Sequence, residues 1–254
     1  MKTIRSALTL IFFALQLVSC AASKASDAGM LNPTIYYKPT IRTDQVRCES
    51  SEMTEMKSPQ DKVLATMCLK DFNNCVMQGS CFVAVSGERL RSFNYYARGA
   101  DTIPRFVEVD LKRCPYGYGV RNTCLDPYFT VAADLKIYKV GDVIFVPRLV
   151  GAAMPDGETH DGFLIIRDAG GGISGANRFD FFTGFYNHLA RENTMAQLGF
   201  GDKTNAFEFR LATEDEAVLV RERRGYPGLK KVIIVSPGGP TSEADDVKGS
   251  ISVN

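Results

Sequence analysis

The chain lacks the residue patterns that bind metal ions and nucleic acids. It has two histidines, His160 and His188, both of which follow every cysteine, and it has no Cys-x-x-Cys pair. Zinc sites usually combine these residue types at close spacing, so the sequence predicts no metal site and no cofactor. Both histidines are interpreted as surface or packing residues. The formal net charge is +1 without any block of lysine or arginine, which argues against a nucleic-acid partner.

Long apolar runs are also scarce. One run, residues 7–18, follows two basic residues, is too short for a membrane-spanning helix and leads into the sequence LVSC. This pattern is typical of a secretory signal, here residues 1–19. LVSC resembles a bacterial lipobox, which implies that Cys20 carries a lipid anchor; an ordinary signal peptide cut nearby is the alternative. Ala21 after Cys20 favours the outer membrane, with the protein facing the periplasm, over a secreted or periplasmic form.

The cysteines fit the same oxidising compartment. If the lipobox cysteine carries lipid, six remain, an even number suited to disulfides: Cys48, Cys68, Cys75, Cys81, Cys114 and Cys124. Many pairings are possible, and a bridge between sequence neighbours, such as Cys114 with Cys124, is one of them. The disulfides are expected to staple the N-terminal half of the protein rather than to take part in its chemistry. A short helix is predicted there over residues 58–72, capped by Ser58 or Asp61.

The sequence divides into several predicted parts. Residues 1–19 form the signal, and residues 20–32, which are mostly small and polar, form a flexible tether. One main domain spans residues 33–235, since a mature chain of this length and apolar content can bury one substantial core. Within it, residues 41–124 form a cysteine-rich segment. Residues 236–254 form a tail that is predicted to be disordered.

Short segments rich in β-branched and aromatic residues dominate the main domain. They are CFVAVSG, RSFNYYARG, RFVEVDL, LKIYKVGDVIFVPRL, FLIIRD, RFDFF, AFEFRLA and KKVIIVSP, most of them broken by Gly, Pro or Asp. This pattern favours a mainly β fold with a closed barrel. One or two short helices are expected beside it. The better defined covers residues 213–223, where Thr213 and Glu216 have capping-box spacing, and a shorter one lies within residues 187–197.

An earlier segment, TIYYKPT at residues 34–40, is predicted to be a strand that ends at its proline. Neighbouring residues of a strand point to opposite faces, so Tyr36 and Tyr37 offer one ring to each face. One ring is expected to reach a substrate cleft, and Tyr37 is the candidate. A core tyrosine beside a surface tyrosine is the alternative.

The segment DAGGGISGANRFDFFTG, residues 168–184, brackets a glycine-rich turn with Asp168 and Asp180. Glycines can adopt positive φ and let backbone N–H groups approach a ligand closely. In the run FDFF, strand alternation places Phe179 and Phe181 on the core face and Asp180 on the opposite face. An unpaired carboxylate on a half-buried strand destabilises the fold unless it has partners or a task, so Asp180 is the first candidate for catalysis.

These motifs together resemble a known family. The upstream LDP, the strand KVGDVIFVP and the glycine-rich segment are similar to the barrel core of membrane-bound lytic transglycosylase A and the related three-aspartate domains, and YYKP is similar to their YYxP. The resemblance implies a double-psi β-barrel with a disulfide-rich insertion. The chain departs from the family pattern at Ala169, where threonine is common, at Gly172, where alanine is usual, and in its short second domain.

The resemblance also implies an activity and a set of roles. Such enzymes cleave the β-1,4 bond between MurNAc and GlcNAc in peptidoglycan glycan strands and form 1,6-anhydromuramoyl products. Asp180 would act as general acid and then as base, with Asp168 and Asp126 tuning it. The turn glycines Gly170 and Gly171 would bind substrate.

Several of these assignments have alternatives in the sequence itself. Arg178 is expected to hold polar groups of the substrate, although it could equally be a surface residue. Asp126 precedes a proline and by itself is commonly a turn residue. Asp161 is interpreted as a loop residue.

Two other functional classes fit the sequence less well. A non-catalytic barrel could grip polysaccharide without cutting it, as expansins do, and an envelope protein could use the disulfide-rich segment to bind a partner. Retention of three aspartates in the motifs argues for the enzyme.

Overall fold

The computed structural model describes residues 28–45, 47–85, 88 and 90–230. The predicted signal peptide, Cys20 and the predicted C-terminal tail lie outside these residues. The described part forms two β-sheets with three short helices, and none of these helices is long and apolar enough to cross a bilayer.

In chain order the strands and helices are β1 (Ala28–Tyr36), β2 (Thr40–Arg42), β3 (Met53–Lys57), β4 (Val63–Cys68), α1 (Leu69–Met77), β5 (Ser80–Ala84), β6 (Arg91–Arg98), β7 (Pro104–Val109), β8 (Thr130–Ala132), β9 (Val143–Phe145), β10 (Phe163–Asp168), β11 (Arg178–Phe182), α2 (Thr194–Gln197), β12 (Phe207–Leu211) and α3 (Glu214–Arg223). Short 3-10 turns occur at Ser50–Glu52, Val120–Asn122 and Pro147–Leu149.

Six strands close into a barrel in the order β1-β11-β8-β10-β9-β12. Strand β1 pairs in parallel with β11 and antiparallel with β12, so the first strand of the chain closes a barrel whose other five strands follow residue 129. Phe179 and Phe181 are fully buried in the barrel core, as the alternation in FDFF predicted. The predicted mainly β fold with a closed barrel is confirmed.

The second sheet has the order β2-β5-β6-β7-β3-β4 and is inserted between β1 and β8. It has its own core, in which Phe72 of α1 packs against Phe106 of β7 with ring centroids 5.9 Å apart. The segments CFVAVSG, RSFNYYARG and RFVEVDL therefore belong to this sheet and not to the barrel. Their alternation predicts a strand but carries no information about which sheet the strand joins.

All six described cysteines are paired, and the bridge between Cys114 and Cys124 is confirmed. The other bridges join Cys48 to Cys68 and Cys75 to Cys81. The Cys75–Cys81 bridge ties the helix α1 to the strand β5, within the core of the second sheet.

The predicted helix over residues 58–72 is wrong. Its first part forms a turn followed by β4, and α1 begins only at Leu69, with Cys68 as the N-cap. Ser58 stabilises the turn instead, because its Oγ accepts hydrogen bonds from the backbone N–H groups of Gln60 and Lys62. The segment VLATMC forms a strand because it pairs with β3.

The helix predicted over residues 213–223 is confirmed as α3, with the capping box between Thr213 and Glu216. Of the helix predicted within residues 187–197, only the four residues of α2 are helical. Strand β1 begins at Ala28 and pairs there with Arg210, so residues 28–32, which the sequence assigned to the tether, belong to the barrel.

Candidate active site

An open groove of about 550 Å³ separates the barrel from the second sheet. One wall comes from the ends of β1, β10 and β11 together with the glycine-rich turn, and the other comes from β6 and the C-terminal end of α1. Asp168 and Asp180 both line the barrel wall, so the fold brings together two of the three aspartates that the sequence singled out.

Strand β1 holds both carboxylates. It runs parallel to β11 with Thr34 opposite Asp180, and alternation puts Tyr36 on the same face as Thr34. The Thr34 hydroxyl donates a hydrogen bond to Asp180 Oδ1 at 2.5 Å, and the Tyr36 hydroxyl donates one to Asp168 Oδ2 at 2.9 Å. The site therefore depends on a strand that precedes its carboxylates by more than a hundred residues.

Asp168 is anchored through both of its oxygens. Oδ2 accepts the Tyr36 bond, and Oδ1 accepts a bond from the backbone N–H of Ala169 at 2.9 Å. The pKa of Asp168 is raised to about 6, mainly by burial. The hydrogen bonds from Ala169 and Tyr36 lower it in part, and the charge of Asp180 adds to the rise. The carboxyl group thus keeps its proton in mildly acidic solution.

Asp180 is held through one oxygen only. Burial also raises the pKa of Asp180 above its ordinary value, against the lowering effects of the Thr34 hydrogen bond and the charge of Arg178. Within the described part of the chain, no group donates a hydrogen bond to Asp180 Oδ2. Asp180 can therefore present a proton, or accept one, at a ligand in the groove.

Arg178 supports this arrangement from behind and does not line the groove. Its Nη2 donates to Thr34 Oγ1 at 2.6 Å, and its Nη1 donates to the Phe179 carbonyl oxygen at 2.6 Å. Thr34 in turn donates to Asp180. The substrate contact predicted for Arg178 is replaced by a chain of hydrogen bonds that orients Asp180.

The glycine-rich turn lies at the edge of the groove, with Gly170 and Gly171 among its lining residues. Of the turn glycines, Gly175 has a positive φ of +97°. Its N–H donates to Asp134 Oδ2 at 2.9 Å, while Asp134 Oδ1 accepts a bond from the backbone N–H of Lys136. These bonds lower the pKa of Asp134, which favours its ionised form, and they anchor the turn to Asp134.

Asp134 is the site residue that sequence reasoning missed. It follows the buried strand β8, whose residue Ala132 pairs with Asp180. An aspartate at the end of an apolar strand was a signal of the same kind as Asp168 at the end of β10. The sequence pattern instead favours the Asp-Pro pair at residues 126–127 as the upstream site carboxylate.

The chain resembles known proteins in one sequence domain and in its fold. Residues 129–193 match the model of the 3D domain family. Among solved structures, MltA from E. coli with bound chitohexaose matches with a TM-score of 0.50 at 16% identity, over 73% of this chain and 72% of that one. The protein has an MltA-like fold with a 3D domain. A comparison with curated protein sequences gave no match.

Two further structures match with lower scores. The membrane-bound lytic murein transglycosylase from Agrobacterium tumefaciens has a TM-score of 0.47 at 14% identity, over 76% of each chain. The lytic transglycosylase LtgG of Burkholderia pseudomallei has a TM-score of 0.40 at 15% identity, over 73% of this chain and 71% of that one.

The match to the 3D domain family begins after Asp126, and the structure places Asp126 away from the groove. Its carboxylate accepts hydrogen bonds from Arg224 at 2.8 and 2.9 Å, and Arg224 also pairs with Glu158 at 2.7 Å. Burial raises the pKa of Asp126, and Arg224 counteracts this. Asp126, which the sequence predicted to be a catalytic carboxylate, is thus a member of a buried ion pair and does not line the groove beside Asp168 and Asp180.

Tyr37 also changes place in this MltA-like protein. It follows the last residue of β1 and contacts the helix side, where its hydroxyl accepts a bond from Asn74 at 3.3 Å and its N–H donates to Gln78 Oε1. Tyr36 takes the groove position instead, because it shares the face of Thr34.

The neighbouring polar residues have structural roles. His160 is buried and stacks on Phe129 at 4.5 Å, and its Nδ1 accepts a bond from the Gly162 N–H. Asp161 pairs with Arg223 outside the groove. His160 is thus a packing residue and Asp161 a loop residue, as predicted.

Proposed function

We propose that this protein is a peptidoglycan lytic transglycosylase, which cleaves the β-1,4 bond between MurNAc and GlcNAc and forms a 1,6-anhydromuramoyl end. The observation that carries the proposal is the pair of carboxyl groups in one open groove. Asp168 accepts hydrogen bonds at both of its oxygens, whereas Asp180 accepts one at Oδ1 only, among the described residues. The shared fold with E. coli MltA, a protein whose structure contains chitohexaose, supports a glycan strand as the ligand.

The chemistry needs one residue that first donates and then accepts a proton. Asp180 protonates the glycosidic oxygen, which leaves with the GlcNAc side as the bond to C1 of the muramic acid breaks. The C6 hydroxyl of the same sugar attacks C1, and its proton passes to Asp180. Asp180 ends the cycle protonated and no water is consumed.

A second catalytic carboxylate is not required. Ordinary glycosidases need one to activate water or attack the sugar, whereas here the nucleophile is already part of the substrate and is held at high effective concentration. Asp168 lies beside Asp180 and is electrostatically coupled to it. Its role is to keep the proton affinity of the pair high and to stabilise the positive charge that develops at C1.

We further propose that the enzyme works in the cell envelope, attached to the outer membrane through lipid on Cys20. The apolar run before LVSC and the three disulfides support export to an oxidising compartment. A Cys20→Ser variant should be released from the membrane fraction or accumulate as a precursor, with unchanged activity of the purified domain. Normal processing and membrane attachment of that variant would contradict the anchor.

The reaction is tested by incubating the purified protein with peptidoglycan and analysing the products by mass spectrometry. The proposal requires soluble fragments with 1,6-anhydromuramoyl ends. Reducing ends would identify a hydrolase, and binding without release of fragments would identify a polysaccharide-binding barrel.

A further inference from the structure

The wall of the groove opposite the carboxylates carries an arginine that the proposed chemistry does not use. Arg98, the last residue of β6, is exposed and is the one positively charged side chain among the described residues that line the groove. Its Nη1 donates a hydrogen bond to the backbone carbonyl oxygen of Thr102 at 2.8 Å.

The other arginines of β6 and β7 are used differently. Arg91 pairs with Glu108 at 2.7 Å, and Arg105 pairs with Asp61 and Asp101 at 2.7 and 2.8 Å. Among the described residues no carboxylate lies within ion-pair distance of Arg98. Its positive charge is therefore available to a ligand.

A local irregularity of β6 sets the face of the sheet on which Arg98 lies. The register of β6 against β7 shifts between Tyr95 and Ala97, so that Tyr95 lies opposite Phe106 and Arg98 lies opposite Pro104. Residues 104 and 106 share a face of β7, and so Tyr95 and Arg98 share a face of β6. Without the bulge, Arg98 would lie on the other face of the sheet.

The surroundings of Arg98 fit a sugar chain with a charged branch. Met77 and Tyr95, with 74% and 38% of their surface exposed, line the same wall and offer apolar contact to sugar rings. The opposite wall carries two carboxyl groups, which would repel an acidic substrate when ionised. The positive charge of Arg98 on the facing wall offsets this repulsion.

We propose that Arg98 binds a carboxylate of the peptide stem that branches from the muramic acid, and so makes the enzyme selective for stem-bearing glycan strands over uncharged ones. This inference rests on the proposed function. The stem leaves the same sugar whose C1 reacts at Asp180, so its carboxylates pass close to the wall that faces Asp180. An arginine guanidinium can bind a carboxylate through two parallel hydrogen bonds, which a neutral chitin-type chain cannot offer.

The test compares soluble, uncrosslinked strands in two forms: native, and with the stem carboxylates converted to amides by carbodiimide and ammonia. We expect the parent enzyme to cleave native strands with a kcat/KM about tenfold higher than amidated strands, the effect expected for loss of a charge-assisted hydrogen bond. Arg98→Gln should remove this preference by lowering kcat/KM on native strands alone, and Arg98→Lys should retain part of it. Arg91→Gln, on the same strand but paired with Glu108, is the matched control and should keep the full preference.

Binding separates this inference from the proposed function. In the Asp180→Asn background, Arg98→Gln should weaken binding of a stem-bearing fragment about tenfold in calorimetry and leave binding of chitohexaose unchanged. An equal kcat/KM on both substrates in the parent, or an Arg98→Gln variant that keeps the preference, would overturn the role of Arg98 while the lytic activity stands. Absence of all cleavage would refute the activity, and the calorimetric comparison would still decide whether Arg98 binds the stem.

Discussion

The barrel and the second sheet form the two walls of one groove, yet they are stabilised in different ways. The barrel has the larger apolar core, and no bridge between the described cysteines joins two of its strands. The second sheet has a smaller core, part of which is the Cys75–Cys81 bridge itself. A small core contributes little stability, and disulfides commonly compensate for it. The two carboxyl groups thus lie on the wall with the larger core, and the wall that carries Arg98 is the one with the disulfide in its core.

The largest effect is expected for a substitution on the barrel wall that removes the proposed proton donor and leaves both sheets folded. Asp180→Asn keeps the shape of the side chain but cannot donate and recover a proton, so kcat should fall by about 10²–10⁴-fold, measured as release of anhydro ends. Asp161→Asn, which alters a carboxylate that pairs with Arg223 outside the groove, should change kcat little. Near-parent activity in Asp180→Asn would refute the assignment.

A second test sets the two disulfides of the stapled wall against each other. Under the loop-entropy model, removing the Cys48–Cys68 bridge by double alanine substitution should lower the free energy of unfolding by about 1 kcal/mol more than removing Cys75–Cys81, because the bridged residues are 20 rather than 6 positions apart. Urea unfolding of the two variants measures this difference.

For substrate affinity, removal of the Cys75–Cys81 bridge should have a larger effect than removal of Cys48–Cys68. Cys75 and Cys81 bracket residues 76–80, which line the groove. Their removal should raise KM severalfold with little change in kcat, whereas loss of Cys48–Cys68 should leave KM unchanged. Equal KM values in both variants would show that the bridge does not shape the groove.

A third test addresses the link between β1 and the carboxyl pair. Tyr36→Phe removes a hydrogen bond that lowers the pKa of Asp168, so this pKa should rise above its value of about 6. Because Asp168 acts in its ionised form, the acidic limb of the pH–activity profile should therefore move to higher pH, with a loss of activity of about tenfold. Tyr37→Phe, on the neighbouring ring outside the groove, is the matched control, and an unshifted limb in Tyr36→Phe would contradict the coupling.

The smallest expected effect on activity lies at the junction of the two walls, where a buried lysine affects stability instead. Lys38 is fully buried, its Nζ donates to Ser92 Oγ at 2.8 Å and to the Tyr116 carbonyl oxygen, and burial lowers its pKa to about 7. The native state then binds fewer protons than the unfolded state between pH 7 and 10.5, so stability should rise with pH across that window. Lys38→Met should remove this rise, which is about 4 kcal/mol at most, in urea unfolding at pH 6.5 and 10.

Much of the barrel could be predicted from the sequence because its signals are local. The alternation in FDFF fixes which residues face the core, and the Thr213–Glu216 spacing fixes the start of α3. The assignment of Asp168 and Asp180 to one site rests on such signals together with the resemblance to a family.

The rest depended on contacts between residues distant in sequence. Whether Tyr36 or Tyr37 faces the groove depends on the last residue of β1, and the place of Asp126 depends on Arg224, which lies 98 residues away. The face of β6 on which Arg98 lies depends on a bulge that no residue type in the strand predicts. Pairing partners of this kind are set by the whole fold.

The position of β1 in the chain has a consequence for biogenesis. During synthesis this strand emerges before the other described strands, and its partners β11 and β12 emerge only after the whole second sheet and most of the barrel. Thr34 and Tyr36 can therefore reach the carboxylates only when the last strand pairings form. The carboxyl groups of the groove therefore gain their hydrogen bonds from β1 only at the end of folding.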